Sequence, residues 1–120
     1  MKKLLLIFAV TGMLTLASCS GGYDSKTAYE LCQKCKSDSF SESDANKLLK
    51  QYEGCWKEIA KFKKKKAESE LSEEEQDRFR ECLYAMNEIE GVLCRGRVAR
   101  EYPEIEEKVF EITRKYNTVE

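Results

Sequence analysis

The sequence contains no histidine, and this absence removes the side chain that enzymes most often use as a general base. Histidine is also the commonest neutral metal ligand, so many metal sites are excluded with it. No nucleophile motif, phosphate-binding loop or array of metal-ligand spacings occurs in the chain. The sequence therefore favours a protein that acts by binding, without a metal or other cofactor, over an enzyme.

The chain also lacks an excess of basic residues, and its apolar run is too short to span a membrane. Its 21 basic residues stand against 22 acidic ones, which gives no reason to expect a nucleic acid as partner. The apolar run from Leu4 to Leu16 is interrupted by Thr11, Gly12 and Thr15. A transmembrane helix needs about 20 apolar residues, so this run is better explained as part of an export signal.

The first residues have the three parts of a secretion signal. Lys2 and Lys3 provide a positive start, the apolar run follows, and the small residues Ala17 and Ser18 come before Cys19. A positive segment, an apolar segment of about 7–15 residues and a small-residue cleavage zone define such signals. We therefore expect residues 1–18 to be removed on export.

The sequence Leu16-Ala17-Ser18-Cys19 resembles the lipobox of bacterial lipoproteins. The resemblance implies that the thiol of Cys19 carries diacylglycerol, that its amino group is acylated, and that the protein is anchored in the cell envelope. Two or more acyl chains give stable membrane attachment. By the same resemblance, Ser20 after the cysteine favours the outer membrane.

The chain left after removal of the signal, residues 19–120, is the length of one small domain. Without Lys2 and Lys3 it has 19 of the 21 basic residues against 22 acidic ones, a net charge of −3. Residues 19–26 are small and polar, which predicts a flexible tether that carries the lipid. Residues 27–120 are predicted to form the folded domain.

Four segments of the domain have helical periodicity, and none alternates as a strand does. The segments cover residues 27–36, 43–67, 73–96 and 103 to near the end of the chain. Thr27 with Glu30, and Ser72 with Glu75, have the spacing of capping boxes. Pro103 suits the first turn of a helix, because its missing N–H has no partner there.

Apolar residues recur on one face of each predicted helix. These residues are Ala28, Leu31, Cys32 and Cys35 in the first helix; Ala45, Leu48, Leu49, Tyr52, Cys55, Trp56, Ile59 and Phe62 in the second; Phe79, Cys82, Leu83, Met86, Ile89 and Leu93 in the third; Ile105, Val109, Ile112 and Tyr116 in the fourth. The pattern predicts an all-α fold, a small bundle of three to four helices stapled by disulfides.

Five cysteines follow the lipobox, and export places them where disulfides persist. If the second and third helices form an antiparallel hairpin, Cys55 faces Cys82. The same geometry puts Cys94 at the end of the bundle that holds Cys32 and Cys35. We therefore predict one bridge between Cys55 and Cys82 and a second from Cys94 to Cys32 or Cys35. One thiol is left over and could link two chains, and the alternative is that all five are small buried residues without bridges.

The sequence CQKC at residues 32–35 is the one motif that suggests an enzyme. A thiol–disulfide exchange protein using Cys32 and Cys35 is therefore the alternative function, although reactive pairs of this kind lie at the start of a helix rather than at its end. A haem attachment site would have histidine where Lys36 stands. Four thiolates could also bind zinc, which an oxidising compartment disfavours.

Two charged stretches are candidate binding surfaces. Lys61–Lys66 could contact anionic lipid or an acidic partner, or could offset the dipole at the end of the second helix. Arg95, Arg97, Arg100 and Tyr102 lie where the third helix loses regularity and form a possible binding surface, with an ordinary interhelix turn as the alternative.

Together these features predict a small lipid-anchored envelope protein that binds a protein partner. Such a protein could act as an inhibitor or immunity-type protein, or as an accessory subunit of an envelope complex. A structural spacer between the membrane and another layer is a further hypothesis.

Overall fold

The computed structural model describes residues 22–117, and these form five helices and no strand. The helices are α1 (Ser25–Lys36), α2 (Glu42–Glu68), α3 (Glu73–Arg95), α4 (Arg97–Glu101) and α5 (Pro103–Asn117). The predicted all-α bundle is confirmed, with one helix more than expected because residues 97–101 form a short helix in place of a turn. The signal, the lipobox and Cys19 lie outside the described residues. No helix within the described part is long and apolar enough to cross a membrane.

Helix α1 begins earlier than the sequence pattern predicted. Its N-cap is Asp24, whose carboxylate accepts a hydrogen bond from the backbone N–H of Thr27 at 2.9 Å. The predicted capping box of Thr27 with Glu30 is therefore wrong, because Asp24 already satisfies a backbone donor of the first turn. The folded part of the chain starts before residue 27, within the segment predicted as tether.

Capping boxes begin the two long helices. The predicted pair Ser72 and Glu75 caps α3, since each side chain accepts a hydrogen bond from the backbone N–H of the other. Ser41 and Asp44 make the same reciprocal contacts at the start of α2. Each box satisfies two backbone donors that a helix start otherwise leaves without partners.

Helices α2 and α3 pack as the predicted antiparallel hairpin. The rings of Phe62 and Phe79 lie 5.9 Å apart between centroids, near the connecting loop. The guanidinium of Arg78, one position before Phe79, lies 3.4 Å from the carboxylate of Glu58 on α2. The two contacts set the register in which the remaining apolar faces of the helices meet.

The core contains nearly all the residues that helical periodicity had assigned to it. Every predicted core position of α2 is buried. The other helices bury part of their predicted sets and pack the rest, partly buried, against the core; the buried ones are Ala28, Cys32, Cys35, Cys82, Ile89, Leu93, Ile105 and Val109. Helix α5 closes the bundle against α2, where the hydroxyls of Tyr52 and Thr113 lie 2.8 Å apart and the rings of Trp56 and Tyr116 stack. Four further core residues were not predicted: Tyr23, Leu71, Val92 and Val98.

Tyr23 fixes the entry of the chain into the bundle. Its ring is buried, and the guanidinium of Arg78 lies 4.9 Å from the ring centroid and donates a 2.7 Å hydrogen bond to the Tyr23 carbonyl. The backbone N–H of Asp24 donates to the side chain of Gln51 on α2 at 2.8 Å. These contacts tie the start of the domain to α2 and α3.

Candidate functional site

The thiols of the CQKC motif are protonated side chains of the core. Cys32 and Cys35 lie on the buried face of α1, and burial raises the pKa of each to about 11. A nucleophilic cysteine needs a lowered pKa and access to solvent, and these two have neither. Among residues 22–117, no three side chains of cysteine, aspartate or glutamate converge as a metal site would require.

All five cysteines of the described part are free thiols, so none of the predicted bridges is present. Cys55 and Cys82 are both fully buried on the facing helices α2 and α3. Burial raises the pKa of Cys55, and the neighbouring Cys82 raises it further. The predicted hairpin geometry has therefore brought these two thiols into the same part of the core.

Cys94 does not make the predicted bridge to Cys32 or Cys35. Burial raises its pKa to about 11, and the carboxylate of Glu106 on α5 contributes to the shift. The Cys94 thiol in turn affects the pKa of Tyr52 on α2. The Cys94 side chain is partly buried and packs against the core of the bundle.

The predicted arginine surface forms a pocket of about 580 Å³ beside the junction of α3 and α4. This arginine pocket is lined by Arg95, Arg97, Arg100 and Lys36, with Gly91 on the α3 side. Tyr102, predicted as part of the same surface, does not line the pocket. Its ring packs edge-on against Phe40, with 5.9 Å between ring centroids.

The lysine run at the end of α2 is an exposed helix end. Lys61 and the lysines at 63–66 are exposed, while Phe62 between them is buried in the core. Lys65 forms an ion pair with Glu75 across the loop to α3. The arrangement agrees with cations that offset the dipole at a helix C-terminus.

A groove of about 780 Å³ between α1 and α3 was not predicted. Tyr29 and Tyr84 line it and are 66% and 69% exposed, and Ala28 and Ile89 at its base are buried. Only one other large hydrophobic side chain in the described part is exposed, Phe110 on α5 at 47%. This tyrosine groove therefore concentrates the exposed aromatic surface of the bundle in one place, as binding sites do.

The rim of the tyrosine groove carries more carboxylates than cations. Asp77, Glu81 and Glu88 line it together with one guanidinium, that of Arg80. Arg80 lies 3.0 Å from Asp77, and Lys36 outside the groove lies 3.4 Å from Glu88. Exposed ion pairs of this kind contribute little free energy, so a partner's cations could replace them at small cost.

The tyrosine groove and the arginine pocket follow one another along α1 and α3. Glu88 lines both, and the chain from Tyr84 to Arg95 on α3 spans about 16 Å at helical rise. The surface thus changes from aromatic and acidic to cationic along one side of the bundle.

Comparison of the chain with protein-family models, with curated proteins and with solved structures found no match.

Proposed function

We propose that this protein is a lipid-anchored protein of the bacterial cell envelope that binds a protein partner through the tyrosine groove. The lipobox-like sequence supports the anchor on Cys19. The observation that carries the binding role is the pairing of Tyr29 and Tyr84 on opposite sides of one apolar groove. Tyrosine supplies a large contact area with a polar end, which makes it frequent in binding surfaces.

The groove fits an amphipathic helix with basic residues beside its apolar stripe. Two helices with a furrow between them accept a third helix, whose apolar side chains enter the furrow. The carboxylates of Asp77, Glu81 and Glu88 attract lysine and arginine at the edges of such a helix. The exposed tyrosine rings would also attract the partner's cations to their faces. By covering this helix, the protein would act as an inhibitor or as an accessory subunit.

Loss of one groove tyrosine should weaken binding of a basic amphipathic helix by roughly tenfold or more, the effect of one buried aromatic contact. The full protein, purified in non-ionic detergent, is titrated by calorimetry with a helical peptide of leucine and lysine. Tyr84→Ser is compared with the wild type, and Phe110→Ser is the matched control because it removes an exposed aromatic ring away from the groove.

The counterpart peptide of leucine and glutamate should bind much more weakly to the wild type. Equal binding of the two peptides would contradict the assigned charge preference. Equal weakening by Tyr84→Ser and Phe110→Ser would show that the peptide binds without using the groove, and the proposed site would then be wrong.

We also propose that Cys55 and Cys82, which are free thiols in the structure, become joined by a disulfide in the exported protein. Both thiols are fully buried on facing helices, and the charge of one affects the pKa of the other. Formation of the bond transfers two electrons to a thiol oxidant of the envelope and releases two protons. Such a bond closes the α2–α3 hairpin and stabilises the fold by about 2–4 kcal/mol.

Mass spectrometry of protein purified from membranes should show a peptide pair joined through Cys55 and Cys82 after digestion without reductant. The intact mass should rise by about two hydrogens on reduction, since each disulfide reduced adds two. Alkylation of both thiols in unfolded, unreduced protein would contradict the bridge. Cys94→Ser is the matched control, because it removes a half-buried thiol and should leave the linked pair intact.

A further inference from the structure

We propose that the arginine pocket binds a phosphate monoester. This pocket adjoins the tyrosine groove, with which it shares Glu88, and the proposal goes beyond the proposed partner binding. Three features of the pocket favour this ligand: two guanidinium groups without an ion-pair partner, a glycine that packing does not require, and the volume of the pocket.

The pocket holds more positive charge than its neighbours neutralise. Arg97 is paired with Asp38 at 2.6 Å, and Lys36 is paired with Glu88 at 3.4 Å. Arg95 and Arg100 form no ion pair with any residue in the described range 22–117. Two guanidinium groups therefore remain available at one pocket in a chain whose overall charge is negative.

Two free guanidinium groups match the charge and shape of a phosphate monoester. Such a group carries about −1.5 to −2 charges at pH 7, whereas a single carboxylate would neutralise only one arginine. The planar guanidinium presents paired N–H donors that fit phosphate oxygens in a fork-like contact. The predominance of arginine in this pocket suits that geometry better than lysine would.

Gly91 keeps the α3 side of the pocket open. Glycine inside a helix lowers stability relative to alanine, so its presence calls for a compensating reason. A Cβ atom built at Gly91 would meet no neighbouring atom within 4 Å, so close packing in the fold is not that reason. The missing side chain instead leaves room in the pocket, which Gly91 lines.

The pocket is larger than a phosphate group alone. Its volume of about 580 Å³ leaves space for the organic part of an ester. A soluble phosphate ester and the headgroup of phosphatidic acid share the monoester that the arginines recognise. The two sources differ in where they reside, and an experiment in membranes separates them.

Binding is measured on the full protein reconstituted in phosphatidylcholine vesicles, with glycerol 3-phosphate as the soluble probe. We expect saturable binding that is weakened tenfold or more in the double variant Arg95→Gln, Arg100→Gln. Arg114→Gln is the matched control, because it removes one exposed arginine on α5, outside the pocket. If phosphatidic acid added to the vesicles competes with glycerol 3-phosphate, the monoester bound in the membrane is that of a lipid headgroup. If it does not compete, the ligand is a soluble phosphate ester.

Gly91→Ala provides a second test that does not depend on charge. It should leave the melting temperature unchanged or higher, and should still weaken binding of glycerol 3-phosphate because the new methyl group occupies the pocket. Absence of saturable binding in the wild type would overturn the proposal. The proposal would also be overturned if Gly91→Ala bound glycerol 3-phosphate as tightly as the wild type does. A loss of affinity in Arg114→Gln equal to that in the double arginine variant would overturn it too, as would binding of a glutamate peptide in place of the phosphate ester.

Discussion

Replacing Leu93 by alanine is expected to lower the free energy of unfolding by about 2–5 kcal/mol, the range found for buried leucines. Leu93 is 0% exposed on α3 and belongs to the core shared by the helices. The change removes apolar burial and leaves a cavity that rigid neighbours fill only in part. Because a domain of this size is stable by about 5–15 kcal/mol, the loss is a large share of the total.

Thermal unfolding followed by circular dichroism measures the effect, and the melting temperature should fall by roughly 10 °C or more. Leu83→Ala is the matched control, because it makes the same chemical change on the same helix at a position that is only partly buried. Its effect should be clearly smaller. Equal losses in the two variants would contradict the assigned core, since the difference between them isolates burial from helix propensity.

The sequence predicted α2 most successfully because several independent signals agree there. Apolar residues recur at helical spacing over the whole helix, and each of the predicted positions is buried. The start of α3 was also predicted correctly, since Ser72 and Glu75 form the capping box there. Long periodic segments leave few alternatives, because another register would expose the apolar stripe.

The start of α1 and the helix α4 depend on contacts that periodicity cannot show. Tyr23 is buried because Arg78, 55 positions further along the chain, holds its carbonyl and covers its ring. Helix α4 is only five residues long, too short for a periodic pattern. Its single buried residue, Val98, packs into the core that the other helices share.

The two candidate sites differ in how far the sequence could predict them. The arginines of the pocket are close neighbours in sequence, so their clustering is visible without a structure. The tyrosine groove joins residues of different helices, and Tyr29 and Tyr84 each lie just outside the apolar face of their own helix. A tyrosine beside the buried stripe on each of two helices was the available signal. That these two tyrosines line one groove is seen only when α1 is packed against α3.

Replacing Cys19 by serine is expected to abolish incorporation of labelled palmitate into the protein. In lipoproteins the thiol forms the bond to diacylglycerol, and the sequence around Cys19 resembles their signal. Each methylene of a buried acyl chain contributes about 0.8 kcal/mol to membrane attachment, so loss of the chains removes the main source of anchoring. Labelled cells expressing the wild type and the variant are compared after immunoprecipitation.

Cys94→Ser is the control for this experiment, because it removes a thiol that is only half-buried and therefore the most accessible of the five in the described part. Its label should equal that of the wild type. Retention of label in Cys19→Ser would place the lipid on another residue and contradict the lipobox interpretation. If label is lost only in Cys19→Ser, Tyr23 follows the lipid-bearing residue by four positions, which at about 3.3–3.6 Å per residue span at most about 14 Å. The tyrosine groove, which Tyr23 helps to line, would then lie close to the membrane surface, where a basic amphipathic helix beside a membrane segment could reach it.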